Sequence, residues 1–305
     1  MTMGFATNSG ETSPVWVAAD QGMYKSYGLD VTLTQTQGTL GADALVSGTI
    51  QGGFMGGADA MTAIAAGTPL KVLFVLVNEN PYTIVARPEI KTPEDLKGKA
   101  LAIGKLGDTS DVSAHIALSR FGLVPGKDVT ERQVGNSPAR YAAMQSGQVA
   151  AAVEDQAYTD LLVKQGMHEL VSLAKENVPY ITNALVVNEK YAQAQPKIVE
   201  AMVRGTNNGL KYVLDPSHRQ QVVAAIAKWE RIDPNSPEMT TVYDSLLTSL
   251  AKNPTPQVAG AETILKALQS MDPHRYAKLT AAQAIDPSFM ERILAASASA
   301  ASKSA

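Results

Sequence analysis

The side chains best placed for chemistry lie in two matching loops. Gly10-Glu11-Thr12-Ser13 and Gly107-Asp108-Thr109-Ser110 each set an acid and two hydroxyls before an apolar, helix-period run, and both runs close on Tyr/Phe-Gly-Leu. A helix start carries unpaired N–H groups and the positive end of the helix dipole, so it can hold anionic oxygens. Hydroxyls add donors. A glycine lets a ligand approach the backbone. The pairing singles out Thr12, Thr109 and Ser110 as ligand contacts. The parallel continues, since Gln37-Gly38-Thr39 matches Val134-Gly135-Asn136. Ser9, Thr39, Gly56, Gly57, Asp59, Lys105, Asn136, Ser137, Glu154 and Asp155 take comparable positions, each after an apolar run and before a helical one. Ser, Thr, Asp and Asn at helix starts also serve as ordinary caps, and that reading stands beside the functional one.

Catalytic and metal chemistry find less support. There is no cysteine, which removes disulfides, thiolate nucleophiles and Cys-based metal sites. His115, His168, His218 and His274 are scattered, with no short spacing between any two, so no metal site is expected. His115 reads as a packed or surface residue in mid-helix. Glu154-Asp155 resembles an acid–base pair, but adjacent residues point in different directions and no nucleophile–base set accompanies them. The Gly pairs 52-53 and 56-57 form neither a dinucleotide fingerprint nor a phosphate-binding loop, and no cofactor is expected. The net charge of −3, without a basic stripe, argues against nucleic acid. With 45% hydrophobic and 18% charged residues the chain has ample core, yet its longest apolar run, Val72 to Val77, is too short to span a bilayer.

The elements that must hold these loops follow a β-loop-α order. That order predicts an α/β chain with two mainly parallel sheets, helices on both faces, and a cleft at the carboxyl ends of the strands. Strands are expected at Met3–Ala6, Asp30–Thr34, Gly52–Met55 and Leu70–Val77, the last of them central. Pro14–Tyr24 reads as a helix capped by Ser13, with Trp16 in its core. Pro81–Ala86 and Pro179–Val187 read as extended crossovers between lobes. The division is therefore residues 1–84 for the first part of lobe 1, 85–185 for lobe 2, and 186–305 for the second, mostly helical part of lobe 1. The C-terminal helices should pad lobe 1, and the Ala/Ser tail from Ser297 should fray.

The stretches PVWVAADQGMYKSYGLDVTL, TPEDLKGKALAIGK, GDTSDVSAHIALSRFGLVPGKDV and VGNSPARYAAMQSGQVAAAV resemble the ABC-transporter solute-binding proteins of the nitrate/sulfonate/taurine type, within the type II periplasmic-binding-protein fold. The resemblance implies a receptor that closes on a small organic ion and delivers it to a membrane ABC permease. It implies a periplasmic or membrane-anchored location and a monomer. It places ligand contacts at Ser9, Gly10, Glu11, Thr12 and Ser13, at Gly56 and Gly57, at Asp108 to Ser110, at Glu154-Asp155 and near Asn183. No export signal is read before the first strand. Arginine is absent from all these loops, which weakens a dianion and admits a zwitterion or amine as well as a sulfonate or carboxylate. An enzyme of pyrimidine synthesis on this fold, or the sensing domain of a regulator, are the alternatives.

Overall fold

The computed structural model describes residues 1–6, 8–36 and 40–304, with side chains through Ser297. The first part runs β1 (Thr2–Phe5), α1 (Ser13–Asp20), β2 (Thr32–Gln35), α2 (Leu40–Ser47), β3 (Gly52–Met55), α3 (Gly57–Ala65), β4 (Leu70–Glu79) and β5 (Thr83–Ala86). The second runs β6 (Ala100–Ile103), α4 (Thr109–Ser119), β7 (Thr130–Gln133), α5 (Ser137–Gln145), β8 (Ala151–Glu154), α6 (Gln156–Lys164), β9 (His168–Ser172) and β10 (Pro179–Asn188). Helices α7 (Glu189–Ala194), α8 (Pro196–Val213), α9 (Arg219–Glu230), α10 (Pro237–Ser249), α11 (Val258–Met271), α12 (Pro273–Tyr276), α13 (Ala281–Ala284) and α14 (Ser288–Ser304) complete the chain. Helix α14 extends through the tail where composition predicts fraying.

Two five-stranded sheets share one topology. The first has the order β2-β1-β3-β10-β4 and the second β7-β6-β8-β5-β9. In each, the first three strands are parallel and the fourth runs against its neighbours. The antiparallel strand is always the one arriving from the other sheet. It comes in at the cleft end, where the parallel strands finish, so it must run back against them. The stretches read as crossovers are thus inner strands, and each sheet is mixed, with four strands running one way and the inserted strand against them. The chain changes sheet between Glu79 and Thr83 and again between Ser172 and Pro179, so the expected boundaries at 84/85 and 185/186 fall inside β5 and β10.

Strand β4 ends the first sheet rather than lying at its centre. Its uninterrupted apolar character has another cause, because helices cover both faces and the C-terminal segment covers the outer edge. Val75 N donates to Pro254 O at 2.8 Å, Ala251 N to Leu76 O at 2.8 Å, and Asp286 N to Val72 O at 2.9 Å. That shields an edge that would otherwise invite pairing.

Trp16 is fully buried and packs edge-on to Phe5 (5.8 Å) and face to face with Trp229 (5.8 Å). Helix α8 lies close on α1, where Gly209 is required because a Cβ there would sit 2.0 Å from Pro14 O. On the opposite face Met61, Tyr180 and Ile264 join a second core cluster. The C-terminal helices also touch the second lobe, with α10 against α6 and α11 against α4. Ala157 and Tyr158 of α6 join the core of the first lobe.

Candidate ligand-binding cleft

The carboxyl ends of the parallel strands in both sheets open on one cavity of about 430 Å³. Its first wall carries Ser9, Glu11, Gln35, Gly56 and Asp59. Its second carries Lys105, Asp108, Thr109, Ser110, Asn136, Ser137, Arg140 and Asp155, while Tyr82, just before β5, and Thr182, in β10, reach in near the sheet changes. The two loops with matching Gly-acid-Thr-Ser sequences therefore meet at one groove.

Three helix starts build the second wall. Asp108 caps α4, accepting from Ser110 N (2.9 Å), Asp111 N (3.0 Å) and Ser110 Oγ (2.7 Å), and its other oxygen accepts from Lys105 N (2.9 Å). Gly104 N donates to Ser110 Oγ at 2.7 Å. Asn136 caps α5 through Ala139 N at 3.2 Å. Asp155 caps α6 through Tyr158 N at 3.2 Å and accepts from Ser137 Oγ at 2.8 Å. These polar groups line the cavity and serve their own helices as well, so the capping reading holds for all three.

Arg140 stands one turn inside α5. Helical side chains lean toward the N-terminus, which brings its guanidinium to the cavity. Nη1 donates to Gly135 O at 2.6 Å and Nη2 to Ser137 Oγ at 2.7 Å, and Nη2 lies 3.5 Å from Glu154 Oε2. Its Nε is buried with no acceptor among the described residues. Burial works to lower the pKa of this guanidinium, but Glu154 and its neighbours outweigh that and raise it. Glu154 is fully buried behind Arg140 and does not line the cavity. Burial pushes its carboxyl up to about 8 against the opposing pull of Arg140.

The first wall differs from expectation at the helix start. A single 3-10 turn, Gly10–Thr12, precedes α1, so Ser13 is the first helical residue rather than the cap. Thr12 is buried, and its Oγ1 accepts from Asn183 Nδ2 at 3.1 Å. Gly10, Thr12, Ser13, Gly57 and Asn183 thus stand behind the wall, whereas Ser9, Glu11, Gly56, Asp59, Asp108, Thr109, Ser110, Asn136 and Asp155 line it. Thr39 lies outside the described residues. Glu11 is pushed up to about 8 by burial, with Asp155 adding to the rise. Glu230, at the end of α9, is likewise raised to about 8 by burial, then by Asp155 and Glu11.

Sequence reasoning passed over Arg140, Tyr82 and Thr182. The signal for Arg140 was present, since it lies three residues beyond Ser137 in the first turn of a helix whose start was recognised. It belongs to the helix rather than to the loop before it, where the other candidates lie.

The taurine-binding periplasmic protein of Escherichia coli (strain K12) is 27% identical over 179 residues, which make up 57% of this chain and 54% of that protein. The chain spans about half the length of the curated relatives it matches. The periplasmic aliphatic sulphonate binding protein SsuA from Escherichia coli superposes with a TM-score of 0.73 at 20% identity, covering 92% of this chain and 94% of that one. The desulfurization enzyme DSZB superposes with a TM-score of 0.65 at 15% identity, covering 96% and 98%. These two likenesses establish the fold, and the second shows that the fold alone does not exclude an enzyme. No helix among the described residues is long and apolar enough to cross a membrane. The family model described as NMT1/THI5 like matches residues 9–219, and the chain belongs to that family.

Proposed function

We propose that this chain is an extracytoplasmic solute receptor of an ABC importer. It binds one small organic ion between its lobes, closes around it and delivers it to a membrane permease, acting as a monomer without turnover. The lobes are residues 1–79 with 179–305, and residues 83–173.

The observation that carries this reading is the unequal chemistry of the two walls. The second wall brings Arg140, Lys105 and the starts of α4 and α5 to one side, where a sulfonate or carboxylate head is held by charge and N–H donors. Asp108 and Asp155 do not oppose it strongly, because their carboxylates are engaged as caps. Across the cavity Glu11, raised to about 8, is a neutral donor at pH 7 and becomes an ion-pair partner when an amine approaches. An aminosulfonate or amino acid-like zwitterion satisfies both walls, and a simple sulfonate or carboxylate satisfies one. Among the described residues the cavity lining holds neither histidine nor cysteine, and the carboxylates of its Ser110–Asp108 and Ser137–Asp155 pairs are engaged as helix caps.

The test is a calorimetric and thermal-shift screen of sulfonates, carboxylates, amines and aminosulfonates on protein refolded free of bound solute. The expected result is saturable 1:1 binding of an anion-bearing solute with compaction of the molecule in solution. Absence of any stabilising solute, or chemical conversion of a bound one, would overturn the proposal.

A further inference from the structure

Away from the cleft, three side chains converge between the first helix of the second lobe and its edge strand. Asp111 and His115 stand one turn apart on α4 and so share a face. Glu131 comes from β7. His115 Nε2 lies 3.6 Å from Asp111 Oδ1 and 3.9 Å from Glu131 Oε1, and the three donor atoms are all within 4.8 Å of one another.

The Asp111 side chain is fully buried and that of Glu131 is 7% exposed. Both inward oxygens, Asp111 Oδ1 and Glu131 Oε1, have no hydrogen-bond partner among the described residues. The outer oxygen of Asp111 is anchored by Gly107 N at 2.6 Å, which fixes the free one toward the imidazole. Two buried carboxylate oxygens aimed at one ring nitrogen are costly unless something positive lies between them.

We propose that Asp111, His115 and Glu131 form a binding site for a divalent first-row transition metal, zinc foremost. One imidazole nitrogen with two carboxylate oxygens suits zinc-class ions, whereas calcium and magnesium take oxygen alone. Two carboxylates and a neutral imidazole carry the charge that a divalent ion cancels. Bonds of about 2.1 Å at tetrahedral angles set donor atoms about 3.4 Å apart, so the ligands need draw in by no more than about 1.4 Å. Asp111 and His115 also line a surface hollow with Leu106, Ser119 and Arg275, which leaves the fourth position open to water or a small anion. The ion would brace α4, whose first turn borders the cleft, against the edge of the second sheet.

The experiment is calorimetric titration of the full chain, stripped with EDTA, with ZnCl2 and separately with CaCl2. One equivalent of zinc is expected to bind and to raise the melting temperature, while calcium does neither. Loss of an outer-shell partner alone costs metal sites about 10- to 100-fold in affinity, so Glu131→Gln and His115→Ala should each cost at least about 100-fold. Cobalt(II) on the unaltered chain should give visible absorption bands that zinc displaces, a readout independent of how the variants fold. Three outcomes would overturn the site: no saturable zinc binding, undiminished binding in both variants, or zinc-insensitive protein that Glu131→Gln stabilises. The last would mean that the two carboxyls share only a proton.

Discussion

Lys105 Nζ donates to Asp59 Oδ1 at 2.9 Å, joining the second lobe to helix α3 of the first across the cavity. Burial raises the pKa of Asp59, and the lysine ammonium opposes that rise without cancelling it. Lys105 is 36% exposed, so the pair contributes roughly 1 kcal/mol or less. That is small beside folding but matters to an open–closed equilibrium, where about 1 kcal/mol shifts populations roughly fivefold. Lys105→Ala should leave the melting temperature within about 4 °C, enlarge the solute-free molecule in small-angle scattering, and weaken ligand binding several-fold. Unchanged scattering and affinity would remove this pair from the closing mechanism.

Arg140 has two duties that mutation can separate. It lies 3.5 Å from buried Glu154 and it faces the cavity. Arg140→Ala strips Gly135 O and Ser137 Oγ of their donor and leaves Glu154, which holds its proton at pH 7, without its partner, and should cost about 1–3 kcal/mol of stability along with ligand affinity. The double variant Arg140→Met/Glu154→Gln should recover most of the stability but none of the affinity. Arg140→Lys keeps the charge yet cannot serve Gly135 O, Ser137 Oγ and Glu154 together, so its binding should fall by at least about tenfold. Denaturant melts and calorimetry on the three variants decide the matter, and full affinity in the double variant would place Arg140 outside the ligand contacts.

Much of the second wall was legible because its signals are local. Asp108, Asn136 and Asp155 each precede a helical run, and capping depends on residues only a few positions away. The first wall was less legible because the Gly10–Thr12 turn moves the start of α1 and sends Thr12 inward to Asn183, a partner far along the chain. The strands β5 and β10 read as extended in sequence. Nothing local states that each inserts, reversed, between strands of the sheet it enters. Asp111 and His115 stand one turn apart in sequence, but nothing local marks His115 as more than a packed or surface residue, and Glu131 joins them only through the pairing of β6 with β7.

The raised carboxyls give the protein an inverted response to pH. Glu11, Glu154 and Glu230 are each held up to about 8, chiefly by burial, whereas a free glutamate titrates near about 4.3. Between those values the folded chain keeps protons that the unfolded chain has released. Stability therefore falls as pH rises through that window and levels off above about 8. With EDTA present, the melting temperature should be several degrees higher at pH 5.5 than at pH 8.5. Glu154→Gln should flatten the slope by its own share. A profile rising toward pH 8.5 would mean that these acids are ionised in the folded state.

Gly56 tests whether the lobes close by direct contact. Its backbone, at φ −65° and ψ 144°, suits any residue, so alanine there carries no conformational penalty of its own. The obstacle lies across the cleft, because a Cβ at Gly56 would sit 2.3 Å from Thr109 Oγ1. Thr109 is buried, so although threonine has two χ1 rotamers open to it in a helix, turning aside means finding room among packed neighbours. Gly56→Ala should thus act as a wedge. The solute-free protein should melt within about 4 °C of the original, since each lobe stays intact, yet ligand affinity should fall at least about tenfold as the closed state is lost. Thr109→Ala in the same chain removes the opposing hydroxyl and should restore compaction in scattering measurements. Affinity would then return as far as Thr109 is not itself a contact, which Thr109→Ala alone measures. If Gly56→Ala closes and binds like the original chain, closure does not bring these two residues together.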